Sequence, residues 1–161
     1  MMKQNIIKNG IIAGVVAIGY VLLFYYTKKD LIFSATYTFS SLVIYLIFMY
    51  QAVKTLGKED FKTVLRTAFG VFIVANVVYY AFDYLLFNYI DKSLGLLQKD
   101  IMIGYYSAGA KSVQEQNQLQ ESIQNADFHN FKGISFNFAK GAIGGFGLAI
   151  LISYLIKRRE Q

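Results

Sequence analysis

The stretch LIFSATYTFSSLVIYLIFMYQAV, residues 31–53, runs for 23 residues without an Asp, Glu, Lys or Arg. A helix needs about 20 consecutive apolar residues to cross the hydrocarbon core of a membrane, because each residue advances the helix by about 1.5 Å. The stretch therefore predicts a membrane-crossing helix, and the rest of the chain can be compared with it.

Three further segments follow the same pattern. The segment 67–90 has one charged residue, Asp83, and the segment 133–156 also has one, Lys140. The segment 6–26 is apolar apart from Lys8, which lies close enough to its end to reach the lipid headgroups. These lengths predict an all-α polytopic membrane protein, a single four-helix domain over 1–161 with crossings at about 6–26, 33–53, 67–90 and 133–156.

A cleaved signal peptide is the alternative for the first segment. Its basic start and apolar run fit, but the following residues, LLFYYTKKD at 22–30, lack the small-x-small motif of a cleavage site. We therefore interpret the first segment as a retained helix.

The overall composition supports the membrane class. Hydrophobic residues make up 55% of the chain and charged residues 16%, whereas soluble proteins average about 25% charged residues. The absence of cysteine excludes disulfides and thiolate metal sites. The net charge of +6 is not concentrated on a solvated basic domain, so we expect no nucleic-acid partner.

The charge is divided unevenly between the two predicted sides of the membrane. Four crossings place both termini and the 54–66 connection on one side, which has nine basic and three acidic residues. The other side has six basic and six acidic residues. Basic residues accumulate in cytoplasmic loops, so the prediction places the N- and C-termini in the cytoplasm.

The segment 91–132, between the third and fourth crossings, is too long for a bare turn. Its first part spaces apolar residues three or four apart, as an amphipathic helix does: Leu94, Leu97, Ile101 and Tyr105. A break follows at 108–110, and Ser112 lies three residues before Glu115 in a capping box that starts a second helix. The pattern predicts an extracytoplasmic helical hairpin, whose glutamine-rich second half is either a solvated helix or a partner-binding surface.

The two charged residues inside the predicted crossings lie at similar depth. Asp83 and Lys140 are each seven residues from the outer end of their crossing, about 10 Å deep at 1.5 Å per residue. Charges at such depth tend to pair, which predicts an intramembrane ion pair. The alternative for the lysine is that its stem extends to the outer headgroups.

Other polar residues at similar depth extend this pair into a predicted cluster: Asn76, Tyr80, Ser40, Thr36 and Asn137, with Tyr20, Tyr37, Ser41 and Tyr79 nearby. The structural interpretation is a buried ion pair that fixes helix register. The functional one is a proton, ion or ligand site. We favour the structural interpretation, because a lone pair offers too few groups for a proton relay.

Small residues at intervals of four predict close helix packing. Gly10 and Gly14 form one such pair in the first crossing, and Gly141 and Gly145 form another in the fourth. The alternatives are packing within one chain and a seam between two copies. We favour packing within the chain, because four helices need several contacts.

The sequence shows no catalytic or cofactor motif. It has no Walker loop, no G-x-S-x-G elbow and no H-E-x-x-H pair, so we expect no enzymatic activity and no cofactor. His129 lies beside Asp127 in ADFHNF, but one histidine and one carboxylate do not make a metal site. We therefore predict no catalytic and no metal-binding residues.

Two stretches of the sequence carry a family resemblance. They are GKEDFKTVLRTAFGVFIVANVVYY at 57–80, where Phe61, Lys62 and Phe69 lead into the third crossing, and the basic end LIKRRE at 155–160. Together with the order of elements, they resemble the domain of unknown function 4199 family of bacterial membrane proteins. It implies a four-helix protein of the bacterial inner membrane and assigns no catalytic residue.

Two functions fit this sequence. The first is a non-enzymatic accessory or scaffold subunit that is embedded in the lipid bilayer. It binds another membrane or envelope protein or forms a homo-oligomer. The second is a small oligomeric transporter or channel that uses the polar cluster. The absence of clear inverted repeats and broken helices favours the first.

Overall fold

The computed structural model describes residues 2–109 and 112–159, and all regular structure within them is helical. The elements are, in order, α1 (Met2–Thr27), a 3₁₀ turn (Lys29–Phe33), α2 (Ala35–Lys54), α3 (Phe61–Leu85), a π-helical turn (Leu86–Ile90), α4 (Ser93–Ser107), α5 (Val113–Asn125) and α6 (Phe131–Arg159). Ala110 of the predicted break, and Lys111 and Glu160 of the charge balance, lie outside the described residues.

Four helices are long and apolar enough to cross a membrane, in agreement with the prediction of a multi-pass membrane protein. They are Met2–Thr27, Ala35–Lys54, Phe61–Ile90 and Phe131–Arg158. In the apolar segment of each span, only 28% of the residues of the first three spans and 22% of those of the fourth are buried inside the protein. Large apolar side chains such as Phe39 and Ile143 are exposed on the outside, which suits a lipid environment because lipid tails are as apolar as the core.

Helix α3 is the centre of the bundle and packs against α1, α2 and α6. Its contact with α1 depends on glycine. A Cβ atom on Gly10 would lie 2.5 Å from the Cβ of Val74, and one on Gly14 would lie 2.7 Å from the Cβ of Val78. No side chain larger than hydrogen fits at either position, so the two helices approach closely within one chain.

The contact between α3 and α6 also uses the predicted glycines. A Cβ atom on Gly145 would lie 2.1 Å from the Phe72 ring, and one on Gly141 would lie 3.5 Å from the Tyr80 hydroxyl. Ala149, one turn further along α6, is fully buried. Both pairs of glycines therefore lie against α3.

Helices α4 and α5 form the segment between the third and fourth spans. Helix α5 begins at Val113, where the predicted capping serine, Ser112, accepts a hydrogen bond from the backbone amide of Glu115 at 3.2 Å. The two helices contact each other, and the Lys99 ammonium donates to the carbonyl of Gln124 at 2.8 Å.

Asp91, just after the π-helical turn, connects three elements. Its carboxylate accepts hydrogen bonds from Lys29 in the 3₁₀ turn, from the Tyr25 hydroxyl at 3.0 Å, and from Ser93. The hydrogen bonds from Lys29 and Ser93 hold the pKa of the Asp91 carboxyl well below its usual range. The same bond with Asp91 raises the pKa of Lys29. The carboxylate thus attaches the start of α4 to the end of α1.

Candidate functional site

The C-terminal end of α3 is joined to the start of α6 by His129, the only histidine of the chain. Its Nδ1 lies 3.1 Å from the Asp83 carboxylate of α3, and its Nε2 lies 2.8 Å from the Oε1 of Gln98 in α4. Its ring stacks on Phe87 with 3.5 Å between centroids and 2° between planes. We call Asp83, Phe87, Gln98 and His129 the histidine link.

Both ring nitrogens of His129 have a hydrogen-bond partner. Nδ1 faces the carboxylate of Asp83, and Nε2 faces the side-chain amide of Gln98. The side chains are largely withdrawn from solvent, 14% exposed for His129 and 13% for Asp83. The link therefore gives the Asp83 carboxylate a hydrogen-bond partner near the end of a membrane span.

Local capping fixes the position of the histidine. The Asp127 carboxylate accepts hydrogen bonds from the backbone amides of His129 at 3.2 Å and Asn130 at 3.1 Å. Asn130 in turn caps α6 by accepting from the amide of Gly133 at 2.7 Å. A Cβ atom on Gly133 would lie 2.4 Å from the Phe128 carbonyl oxygen, so the tight turn requires glycine there. Asp127 therefore acts as a turn-forming residue beside the histidine.

The predicted ion pair between Asp83 and Lys140 is wrong. Asp83 pairs with His129, whereas Lys140 is exposed on α6 with its Nζ 4.2 Å from the centre of the Phe136 ring. Gly141 lies toward α3, and Lys140 is one residue away, which is about 100° around the helix. Equal depth did not imply a shared face.

The other polar residues of the predicted cluster form separate contacts. The Tyr20 hydroxyl lies 2.6 Å from that of Ser40, which donates to the Thr36 carbonyl. Between α3 and α6, the Tyr80 hydroxyl donates to the carbonyl of Asn137 at 3.2 Å. Tyr20, Ser40 and Thr36 therefore meet at the interface of α1 with α2, whereas Tyr80 meets Asn137 at the interface of α3 with α6. Tyr80 also lines one cavity together with Asn76, Tyr37, Ser41 and Tyr79.

Asn76 lies in an intramembrane cavity of about 430 Å³ between α2, α3 and α6. It is buried, and its amide nitrogen donates to the Phe72 carbonyl at 2.9 Å. The residues that line the cavity are mostly aromatic, aliphatic or glycine, with hydroxyl groups from tyrosine, serine and threonine: Ala17, Tyr37, Thr38, Ser41, Leu42, Tyr45, Phe72, Asn76, Tyr79, Tyr80, Gly141, Gly144, Gly145 and Leu148. We call this space the membrane cavity. Asp83 does not line it.

A second cleft, of about 330 Å³, borders the histidine link on its outer side. Lys92, Leu96 and Asp127 are among its lining residues. Among the described residues, no group of three or more His, Asp or Glu side chains is arranged to hold a metal ion. The link joins α3, α4 and the turn that precedes α6.

The sequence argument missed the role of His129, Phe87 and Gln98. The available signal was depth: His129 lies just before the fourth span, and Asp83 lies near the outer end of the third. Matching a titratable residue outside the span with the charge inside it would have suggested this pair. The stacking and the Gln98 contact depend on the π-helical turn and on the path of α4. No sequence motif predicts either of these two features.

A family model described as "Protein of unknown function (DUF4199)" matches residues 8–158, nearly the whole chain. The match confirms the family resemblance derived from the third span and the basic C-terminal end. No curated protein and no solved structure matches the chain.

Proposed function

We propose, for a chain that belongs to the DUF4199 family of proteins of unknown function, the role of a non-enzymatic accessory subunit of the bacterial inner membrane. In this proposal both termini face the cytoplasm, and the pair of helices α4 and α5 lies on the opposite side. There the pair binds an extracytoplasmic segment of another membrane or envelope protein.

The packing of α5 carries the proposal. Within the described residues α5 packs against no helix other than α4, and α4 is held to the bundle by the 3₁₀ turn, the π-helical turn, its Leu94 side chain and the contact of Gln98 with His129. A polar helix packed on one side only usually lies in solvent or bridges to another molecule. The start of α4 is therefore held against the bundle, and most of the surface of the α4–α5 pair faces away from it.

Exposed apolar side chains lie where the two helices meet. Tyr105 near the end of α4 is 77% exposed, and Val113 at the start of α5 is 74% exposed. Aromatic residues are enriched in the centres of protein interfaces, and also at the lipid headgroup level. Their position at the free end of the pair supports a contact with a partner.

The side of the membrane can be tested first, because the chain has no cysteine of its own. Single-cysteine variants at Ser107 and Lys58 would be labelled with a membrane-impermeant maleimide in intact cells. We expect labelling at position 107 and protection at position 58. The reverse result would contradict the orientation on which the proposal depends.

The partner can then be tested by photocrosslinking in native membranes. A photoreactive phenylalanine analogue would replace Tyr105 in one variant and Phe39, which is 71% exposed on α2, in the control. We expect one discrete protein adduct at position 105 and no adduct of that mass at position 39. Capture of the same protein should be lost in a Tyr105→Ser, Val113→Ser double variant. Adducts with lipid alone at position 105 would overturn the proposal.

Transport is the second candidate, and the membrane cavity is the observation that favours it. No charged residue lines the cavity, so an ion would lack a counter-charge there. Solute flux into liposomes that contain the purified protein would support transport over the accessory role.

A further inference from the structure

We infer that the membrane cavity binds a neutral, ring-containing molecule that carries both a carbonyl and a hydroxyl group. The inference concerns the interior of the bundle and does not depend on partner binding by α4 and α5. It rests on the shape of the cavity, on two accessible polar atoms of the buried residues Tyr45 and Asn76 in its lining, and on the depth of those residues.

The shape suits a flat ligand. The volume of about 430 Å³ lies within the usual range of about 300–1,000 Å³ for small-molecule sites. Aromatic rings form one wall, where Tyr45 of α2 and Phe72 of α3 lie 5.2 Å apart at 52°. Glycines form the α6 wall, and a Cβ atom on Gly144 would meet nothing within 4 Å. A ring can therefore stack on aromatic faces beside a wall in which Leu148 is the only side chain larger than hydrogen among the α6 residues that line the cavity.

Two polar atoms in the lining lack partners. Tyr45 is 7% exposed and Asn76 is 6% exposed. Within the part of the chain that the structure describes, the Tyr45 hydroxyl makes no hydrogen bond and the Asn76 side-chain oxygen accepts none. Unpaired polar groups are costly in a hydrocarbon environment. A ligand carbonyl could accept from Tyr45, and a ligand hydroxyl could donate to Asn76.

The depth of these atoms distinguishes a ring compound from a phospholipid. Tyr45 is ten residues from Ala35 and nine from Lys54, so it lies about 14–15 Å from either end of α2 at 1.5 Å per residue. Asn76 lies similarly near the middle of the span Phe61–Ile90. The ester and headgroup oxygens of a phospholipid lie at the membrane surface, about 15 Å from the bilayer centre. An acyl tail alone would leave both polar atoms unpaired.

The electrostatics of the lining exclude a charged ligand. None of the residues around the cavity is Asp, Glu, Lys, Arg or His. A charged molecule would lose its hydration without gaining a counter-ion. The ligand is therefore neutral, and the Tyr45 hydroxyl and Asn76 oxygen add the requirement of a carbonyl and a hydroxyl group on its ring.

The test uses 4-hydroxybenzophenone, which has an aromatic ketone, a hydroxyl group and light-activated reactivity toward nearby C–H bonds. The full-length protein in lipid nanodiscs would be titrated with this probe and irradiated, and the labelled residues mapped by mass spectrometry. We expect saturable labelling of residues in the cavity lining, such as Leu42 and Leu148. We also expect unsubstituted benzophenone, which cannot donate to Asn76, to bind about five-fold more weakly.

Two variants and a matched control localise the site. Gly144→Leu should reduce labelling by about ten-fold or more, because its side chain fills the open space of the cavity. Gly147→Leu is the control on the same helix: a Cβ atom there also meets nothing, but Gly147 does not line the cavity. Tyr45→Phe should weaken binding by about five- to ten-fold through loss of one hydrogen bond.

Three results would overturn the inference. Equal labelling of the two leucine variants would place the probe outside the cavity. Full competition by a phospholipid, with no effect of Tyr45→Phe, would assign the cavity to acyl chains. A shift from dimer to monomer caused by Gly144→Leu, with no change in labelling, would make the glycine wall an interface between copies of the chain.

Discussion

Helix α3 has two glycine-containing neighbours, and they use glycine in opposite ways. On the α1 side, valines of α3 occupy the space beside Gly10 and Gly14, so no added atom fits. On the α6 side, Gly145 is filled by Phe72, but Gly144 faces open space. We call the first the closed side and the second the open side. Small residues at helical spacing therefore indicate a helix face that another helix can approach closely. Whether that face is packed or left open depends on the side chains of the opposing helix.

The two sides also differ in solvent exposure at the end of the bundle that leads to α4. The closed side ends at Asp91, whose carboxylate joins Lys29 and Tyr25 across a partly solvated surface. The open side ends at the histidine link, where the Asp83 and His129 side chains are largely withdrawn from solvent. Electrostatic interactions are weak in water and stronger where solvent is excluded. The link should therefore contribute more to stability than the Asp91 cluster.

The largest expected effect is on the closed side. Gly14→Val should lower the free energy of unfolding by about 3 kcal/mol, the upper part of the range for overpacking, because the Val78 side chain and the Ala75 carbonyl oxygen occupy the space. Unfolding in detergent micelles, followed by circular dichroism, measures it. Gly19→Val is the control on the same helix, since a Cβ atom at Gly19 meets nothing within 4 Å. Equal losses in the two variants would contradict the closed packing.

The next effect concerns the histidine link and distinguishes it from the ion pair that the sequence suggested. In a double-mutant cycle, Asp83→Ala and His129→Phe should show a coupling free energy of about 1.5–3 kcal/mol, typical of a hydrogen bond with a charged group. Phenylalanine retains the ring stacked on Phe87 and removes both nitrogens. The same cycle with Lys140→Met in place of His129→Phe should be additive within about 0.5 kcal/mol. Coupling in the second cycle alone would show that Asp83 pairs with Lys140 and not with His129.

This correction shows which features the sequence could predict. The four spans and the start of α5 follow from local properties: uncharged length and a capping serine. The depths of Asp83 and Lys140 were also predictable, because depth follows from counting residues at a fixed rise. The direction of each side chain around its helix was not, since it depends on the neighbour that each helix meets.

The histidine link and the membrane cavity illustrate the same limit. The π-helical turn, in which the Asp91 amide donates to the Leu86 carbonyl at 2.8 Å, changes the helix between Asp83 and α4. No residue pattern in this stretch signals it. Likewise, Gly144 and Gly145 are adjacent glycines, and only the position of Phe72 determines that one is filled and the other open.

A smaller effect is expected at the outer end of the closed side, and it depends on pH. The Asp91 carboxyl has a lowered pKa in the folded state, so its contribution is present above the unfolded value of about 3.8 and is lost as the pH falls through the folded value. The raised pKa of Lys29 means that its contribution is lost only in strong base, above about 10.5.

The difference in melting temperature between the wild type and Asp91→Asn should therefore be constant from about pH 5 to about pH 9 and shrink below about pH 3.8. Ser122→Ala is a control on α5, far from this carboxylate in sequence and bonded only within its own helix. A difference that persisted unchanged in acid would mean that the charge of Asp91 is not what joins α4 to α1.

The smallest effect is expected for Lys140 on the open side. Its ammonium lies 4.2 Å from the centre of the Phe136 ring, and both residues are exposed, so the interaction is worth about 0.5–1 kcal/mol at most. Lys140→Met keeps the apolar stem and should change the free energy of unfolding by less than about 1 kcal/mol in detergent micelles. Removing one partner of a buried ion pair would instead cost about 3–5 kcal/mol. A loss of that size would show that Lys140 compensates a charge inside the bundle, whereas a small one leaves Asp83 to the histidine link.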